Sequence, residues 1–489
     1  MKGNNYFKQL YGHSLALFVD LYHLTMAYGF WKRGMAGKEA AFNLFFRRRP
    51  FQGEFGIAAG LETAIDYIQN FHFDEGDLAY LNGLMLPNGK PLFEQAFLDY
   101  LGSLKITCDL DAMLEGTPLF PYQPLLRVQG PIIEAQLLEG PLLNIINFQS
   151  LIATKAARIC WAARPDPVVE FGLRRAQGLD GALSGVRGAY IGGCESTSNV
   201  LAARLFGIPV KGTHAHSWIM AFDDEKDAFE AFADVMPKNC IFLVDTYNTL
   251  QGVKKAVSVA KAKGIDMLGV RLDSGDLAHL SIEARKLLDA EGFQNAKIMA
   301  SNELDEHIIA DLKHQGAKIN LWGVGTNLIT AKDQPALDGV YKLCAIRDKG
   351  GEWKYRMKLS EQMVKMTNPG ILQIKRFEDE KGYVADMMYD ALTTPSGGAE
   401  VIDLFEPAIV KKMQDSWKSE DLLKPILRQG KSVYEHPPLS QIRERTLQEL
   451  ERFQPGIRRF LYPQKYFYGL ESSLYQKKLA MIGALRKIE

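Results

Sequence analysis

The chain has 489 residues, with 58 lysines and arginines against 58 aspartates and glutamates, so its formal net charge is zero. That balance removes the general attraction to nucleic acid or an acidic membrane that a strongly basic chain would carry, and any anion site must be built locally. At about 150 residues per domain the length predicts two or three folding units. The five cysteines, Cys108, Cys160, Cys194, Cys240 and Cys344, include no CxxC pair, which argues against a zinc ribbon or disulfide framework and fits a reducing cytoplasm.

The first segment, MKGNNYFKQLYGHSLALFVDLYHLTMAYGFWKRG, carries an apolar streak, but His13, Asp20 and His23 interrupt it and no small-residue cleavage site follows. It reads as neither a signal peptide nor a membrane span. From about 37 to 135, short β-rich runs (EAAFNLFFR, ITCDLDAM, LLRVQGP) alternate with helical pieces (GLETAIDYIQNF, FEQAFLDYLGSL), predicting a mixed α+β domain over residues 1–140. A helix is predicted from Pro141 through PLLNIINFQSLIATKAARICWAA, and a domain boundary is placed there.

Residues 141–345 then repeat an apolar run, a polar or glycine cluster at its C-terminal end, and a helical segment. The runs are VVEFGLRR, AYIGGCESTSN, IPVKGTHAHS, CIFLVDTYNT, MLGVRLDSGD, KIMASNELDE and INLWGVGTN, spaced as βα units of a barrel or partial barrel. In that architecture reactive groups sit at the C-terminal ends of strands, where His214, His216, Asp245, Arg271, Asp273 and Asn302 fall. From 346 to 489 the rhythm stops. Strand-like pieces (EWKYRMKLS, ILQIKRF, GYVADMMYD, EVIDLF) are expected to complete the N-terminal domain's sheet, with helices SQIRERTLQELERF and SSLYQKKLAMIGALRKI packing outside.

Each strand-end motif has a chemical and a plain reading. His214 and His216, two apart in GTHAHSW, would share one face of a strand as a metal pair does, or could be structural, or could provide one working imidazole beside Gly212, Thr213 and Ala215, small enough to admit a ligand. In VRLDSGDL, Arg271 can fork onto a carboxylate or phosphate and Asp273 can accept from ribose hydroxyls or hold magnesium through water, or the two form a salt bridge beside a helix cap. Gly323 and Gly325 in GVGTNLIT let backbone amides approach a phosphate, and Ser301 and Asn302 in ASNELDE bind one or cap a helix. Phe171, Arg174 and Arg175 in EFGLRR offer a stacking ring and cations, or a core phenylalanine and surface arginines; the basic triplet in FFRRRPFQG reads as a solvated loop.

Taken in order, DLYHLTMAYGF, FFRRRPF with GIAAGLE, NFQSLIATKAAR, EFGLRRAQGLDGA, YIGGCESTSNVLAARLFGIPVKGTHAHSW, VDTYNT, VRLDSGDL, SNELDE, GVGTNLIT and GVYKL resemble the nicotinate phosphoribosyltransferases through most of the chain. The resemblance implies a type II phosphoribosyltransferase fold: an α/β protein with an irregular or incomplete α/β barrel and a second open-faced α/β domain built from both chain termini. It implies formation of nicotinate mononucleotide and pyrophosphate from nicotinate and phosphoribosyl pyrophosphate in NAD salvage, coupled to ATP hydrolysis through a phosphohistidine at His216, with Mg2+ as cofactor. His214 would stand where the family accepts apolar residues. Phe171 and Tyr22 would sandwich the pyridine ring, Tyr22 reaching across from the second subunit of a homodimer. Arg174 and Arg271 would lie near the ring carboxylate and bound nucleotide, with Thr213 among the substrate-binding residues. Asp273 would hold the ribose hydroxyls, and Ser301, Asn302, Gly323, Gly325 and Thr326 the 5′-phosphate. Arg47 and Lys342 would face pyrophosphate. Ser198, with Asn199, would replace the aspartate that nicotinamide-using relatives place near the ring amide, favouring the acid. The competing readings are a sibling enzyme acting on nicotinamide or another pyridine, a barrel metal hydrolase using the HxH pair, and a catalytically silent interaction protein.

Overall fold

The computed structural model describes residues 14–362, 365–393, 395 and 398–486. The first thirteen residues of the apolar streak, His13 among them, and the last of the C-terminal helical text lie outside the described residues. Among the described residues no helix is long and apolar enough to cross a membrane.

The chain divides into two compact units, Met1–Leu151 with Ala336–Pro438 and Gln448–Glu489, and Ile152–Pro335 with Leu439–Leu447. The first holds a seven-stranded antiparallel sheet in the order Lys354–Tyr355, Gly339–Arg347, Glu39–Phe46, Leu126–Pro131, Asp109–Met113, Leu423–Arg428, Lys431–Ser432. EAAFNLFF is an almost unbroken apolar run because the strand it forms is buried from Ala40 to Phe46. The predicted boundary at 345 cuts through Gly339–Arg347, whose register along Glu39–Phe46, from Arg347 opposite Glu39 to Gly339 opposite Phe46, assigns it to this unit. Likewise the boundary at 140 falls inside one helix, Glu139–Ala163.

The C-terminal strands divide between two sheets. Leu423–Arg428 pairs with Asp109–Met113, as a strand completing the N-terminal sheet would. Leu372–Asp379, Gly382–Asp390 and Glu400–Asp403 instead join Tyr468–Glu471 in a second, six-stranded sheet around Phe377, Met387, Tyr389 and Val401. At its heart the fully buried Arg376 donates to both carboxylate oxygens of Asp386 at 2.9 and 2.7 Å, and Gln123 and the Tyr466 hydroxyl donate to the same carboxylate at 2.8 and 2.9 Å. The partners of Asp386, with Pro118 O accepting from Arg376 Nη2 at 2.8 Å, offset the desolvation of the buried pair, although Arg376 Nη1 has no hydrogen-bond partner and only approaches Glu449 Oε2 at 4.0 Å.

The second unit carries six parallel strands: β1 (Val168–Glu170), β2 (Ser196–Thr197), β3 (Ile241–Leu243), β4 (Gly269–Leu272), β5 (Lys297–Asn302) and β6 (Leu321–Val324). Their order is β2-β1-β6-β5-β4-β3. The seventh predicted run, IPVKGTHAHS, adds only one parallel bridge, Val210 to Thr197, beside β2. The strands therefore form an open parallel sheet, with β3 at one edge and Pro209–Lys211 at the other. Each run is followed by a helix, and Asn199, Asn248, Asp276 and Asp305 cap four of them.

Candidate active site

The strand tips of the second unit enclose a cleft of about 410 Å³ lined by Phe171, Arg174, Ser198, Thr213, His214, His216, Arg271, Asp273, Ser301, Asn302, Gly323, Gly325 and Thr326, among others. Thirteen residues from six separate stretches of chain converge because a parallel strand presents its C-terminal end, and the loop after it, on one side of the sheet.

Arg271 organises the centre. Its Nε donates to Ser301 Oγ at 2.7 Å, one terminal nitrogen to Thr213 Oγ1 at 3.1 Å and the other to Asp273 Oδ1 at 2.8 Å. The guanidinium also lies 5.4 Å from the centre of the Phe171 ring. Ser301 Oγ donates to Asp273 Oδ1. Burial pushes the Asp273 carboxyl up, but the Ser301 hydroxyl, Arg271 and His216 outweigh it and hold it below the usual carboxylate range. Asp273 thus stays an acceptor at neutral pH. The plain reading of VRLDSGDL is met as well: Arg271 and Asp273 pair with each other, and Asp276 caps the next helix through His279 N–H.

His216 stands 3.6 Å from Asp273 Oδ2 through Nε2 and 3.1 Å from Thr246 Oγ1 through Nδ1. His214 does not share that environment. Its Nε2 accepts the Leu243 N–H at 3.2 Å, and its ring packs edge-on against Phe232 with centroids 4.7 Å apart. Burial, then the neighbouring Arg271 and His216 charges, push its pKa down to about 4, the Ala215 backbone opposing them. Among the described residues neither histidine joins a set of three His, Cys, Asp or Glu side chains placed to share a metal; the one such set, Glu62, Glu115 and His436, lies in the first unit. The HxH pair is two imidazoles with different partners, and the metal-hydrolase reading loses its ligand set.

Phe171 is fixed at the end of β1 by its N–H to Val324 O at 2.8 Å, and its ring lies on the glycine face of β6. Gly323 is therefore required for packing against an aromatic ring, whereas a Cβ at Gly325 would meet the Phe171 carbonyl oxygen at 3.1 Å. Asn302 does not cap the following helix, which Asp305 caps instead; its φ of 139° is a conformation side chains rarely adopt, and its Oδ1 accepts from Glu303 N at 2.8 Å. Strain of this kind collects at ligand-binding positions. Thr326 Oγ1 lies 3.4 Å from Glu303 Oε1. Arg174 is exposed on the turn Leu173–Arg175 and Ser198 is half-buried, whereas Asn199 turns away to cap its helix through Ala202 N–H.

Tyr22, Arg47 and Lys342 belong to the first unit. Tyr22 is 49% exposed on the helix Leu21–Lys32, with Leu21 and Met26 of that helix and the preceding Phe18 also exposed. Burial, and then Arg47 and Lys358, lower the Lys342 pKa, against Glu139, whose carboxylate is 3.8 Å away.

Asp245, read from the sequence as a strand-end residue without a role, and two residues the sequence reading missed, Thr246 and Glu170, support the site. Asp245 Oδ2 accepts from Asp273 N at 2.8 Å and Ser274 Oγ at 2.6 Å, and its Oδ1 has no hydrogen-bond partner. Thr246 holds His216. Glu170, buried at the tip of β1 with its pKa raised by that burial, accepts from Thr197 Oγ1 at 2.6 Å and from Gly172 N, tying the Phe171 loop to β2. For Glu170 and Thr246 the sequence signal was adjacency alone: Glu170 precedes Phe171, and Thr246 follows the strand-end Asp245 in the run CIFLVDT.

Family models cover most of the chain: the nicotinate phosphoribosyltransferase N-terminal domain matches residues 17–147, the family's central model 167–352, and its C-terminal domain 373–478. The nicotinate phosphoribosyltransferase of Bacillus subtilis is 42% identical over 479 residues, 97% of this chain and 96% of its own. The human nicotinate phosphoribosyltransferase is 35% identical over 523 residues, covering 94% of this chain and 95% of its own. The crystal structure of human nicotinic acid phosphoribosyltransferase superposes with a TM-score of 0.82 at 32% identity, over 95% of this chain and 99% of that one. With models spanning the chain and near full-length relatives above 30% identity, the chain belongs to the nicotinate phosphoribosyltransferase family.

Proposed function

We propose that this enzyme joins nicotinate to phosphoribosyl pyrophosphate in NAD salvage, and that His216 couples the reaction to ATP as a phosphohistidine. The observation that carries the reading is the placement of Arg271, against the Phe171 ring and bonded to Asp273, Ser301 and Thr213 at once. A flat aromatic acid stacked on Phe171 would present its carboxylate to Arg271 and Arg174, while Asp273 accepts from the ribose hydroxyls and the Ser301 to Thr326 tips take the 5′-phosphate.

The pyridine nitrogen attacks ribose C1, the C1–oxygen bond to pyrophosphate breaks, and no proton has to move. What the site must supply is alignment and stabilisation of the departing anion. Magnesium favours oxygen ligands, and the free Oδ1 of Asp245 beside Asp273 suits it; these two carboxylates would hold the ion, which supplies charge neutralisation to the pyrophosphate. For the coupling step, an imidazole nitrogen of His216 takes the γ-phosphoryl group and ADP leaves; water later releases phosphate. Thr246 and Asp273 hold the ring for that attack. Exposed Phe18, Leu21, Tyr22 and Met26 favour a homodimer in which Tyr22 completes the partner's pyridine slot.

Pyrophosphate release by the purified protein tests the reading. Release should require nicotinate, rise on adding ATP with Mg2+, and leave label from [γ-32P]ATP on the protein. Equal release with nicotinamide, or indifference to ATP, would refute the corresponding part.

A further inference from the structure

In the second unit Val244 N–H donates to Arg271 O at 3.2 Å, toward β4. Neighbouring N–H groups of a strand point to opposite sides, so that of Leu243 points off the open edge of the sheet. His214 Nε2 accepts it there. At the opposite edge Thr197 N donates to Pro209 O and Lys211 N to Thr197 O, both at 3.0 Å, making Pro209–Lys211 a rudimentary seventh strand. His214 follows three residues later on the same segment. Chain-consecutive segments thus form the two edges, and an imidazole spans the seam where a ladder would run.

We infer that His214 is a positioning residue for the phosphoribosyl transfer: its ring replaces the missing strand pairing by accepting the Leu243 N–H through Nε2, which fixes the proton on Nδ1 and sets the loop that carries Thr213 and His216. Both neighbours depend on that setting. Thr213 Oγ1 receives Arg271, while His216 meets Thr246, just beyond the tip of β3 that His214 holds. The ring is braced from outside by Phe232 and Phe229 of the helix Glu225–Val235. An apolar side chain would fill the volume but leave the buried Leu243 N–H without an acceptor.

The inference uses the proposed reaction only for its activity readout; its hydrogen-bond readout does not depend on what the enzyme catalyses. In the wild-type protein, 15N-labelled histidine spectra should assign His214 the Nδ1-protonated tautomer; an Nε2-protonated ring would overturn the inference. Among folded variants, His214→Gln places an amide oxygen near the Nε2 position, whereas His214→Asn cannot reach it and His214→Leu has no acceptor. The Leu243 amide should exchange slowly in wild type and His214→Gln and at least about tenfold faster in the other two. The value of kcat/KM for nicotinate should stay within about threefold of wild type for Gln and fall roughly 10- to 100-fold for Asn and Leu, the effect of a small displacement of the site. Equal exchange in all four proteins, or wild-type kcat/KM in His214→Leu, would show that the ring fills space only.

Discussion

Replacing Gly323 with alanine separates two reasons for a glycine at the cleft. A Cβ at this position would stand 2.8 Å from Cδ2 and Cε2 of Phe171 and 2.7 Å from Cε of Met299. The methionine end can swing aside, so the strain falls on the aromatic ring. Overpacking of this kind costs about 1–3 kcal/mol. For a unit the size of the second, that corresponds to a melting-temperature loss of roughly 2–12 °C. Displacing the ring from its station beside Arg271 also forfeits stacking, worth about 0.5–1.5 kcal/mol. Nicotinate KM should therefore rise roughly two- to twelvefold. The assay is a double-mutant cycle: adding Phe171→Leu should restore most of the lost stability but not nicotinate binding. If Gly323→Ala instead kept wild-type stability and nicotinate KM and raised only the KM for phosphoribosyl pyrophosphate, the glycine would serve the phosphate alone and the packing argument would fail.

His216→Ala should lose the ATP-dependent enhancement and keep slow ATP-independent synthesis; transfer of γ-phosphate label to that variant at the wild-type level would contradict the assignment. Ser198→Asp places a carboxylate where nicotinate's own would be repelled, so the ratio of kcat/KM for nicotinamide over nicotinate should rise, and an unchanged ratio would remove Ser198 from specificity. Arg376→Met leaves the buried Asp386 without its cation and should cost about 3–5 kcal/mol, read as a lowered urea midpoint of the first unit. His214 has a folded pKa of about 4 against an ordinary 6.5, so the unfolded chain takes up the proton first and wild-type stability falls as pH drops from 6.5 towards 4. His214→Gln lacks that linkage, so its urea midpoint should fall less than that of wild type between pH 7 and pH 4.5.

The periodic features were legible and the long-range ones were not. Five of the seven βα runs of the second unit could be located because strand, polar tip and helix follow one another within the chain, whereas the apolar AYI of AYIGGCESTSN closes the helix Gly178–Ile191 and only Ser196–Thr197 is strand. What the runs could not reveal was pairing: IPVKGTHAHS has the composition of a strand yet forms a single bridge, because neighbours and not propensity complete a ladder. The same holds for side chains. Ser301 and Asp273 were readable as polar strand ends, but the roles of Asn199 and Asp305 as caps depend on where a helix begins within one residue. The network of Gln123, Arg376, Asp386 and Tyr466 joins Asp386 to partners 10, 80 and 263 residues away and has no local signature.

The strand Glu39–Phe46 lies between Leu126–Pro131 and Gly339–Arg347, and its last partner leaves the ribosome some 300 residues after it does. At elongation rates of about 5–20 residues per second, the nascent chain carries that apolar edge unpaired for roughly 15–60 seconds. The second unit, apart from Leu439–Leu447, lies between Ile152 and Pro335 and is synthesised within that interval. Biogenesis is therefore vectorial in an inverted sense: the middle of the message matures before its beginning, and chaperones that shield exposed strands during translation should engage the segment around Phe42–Phe46 until Gly339–Arg347 arrives.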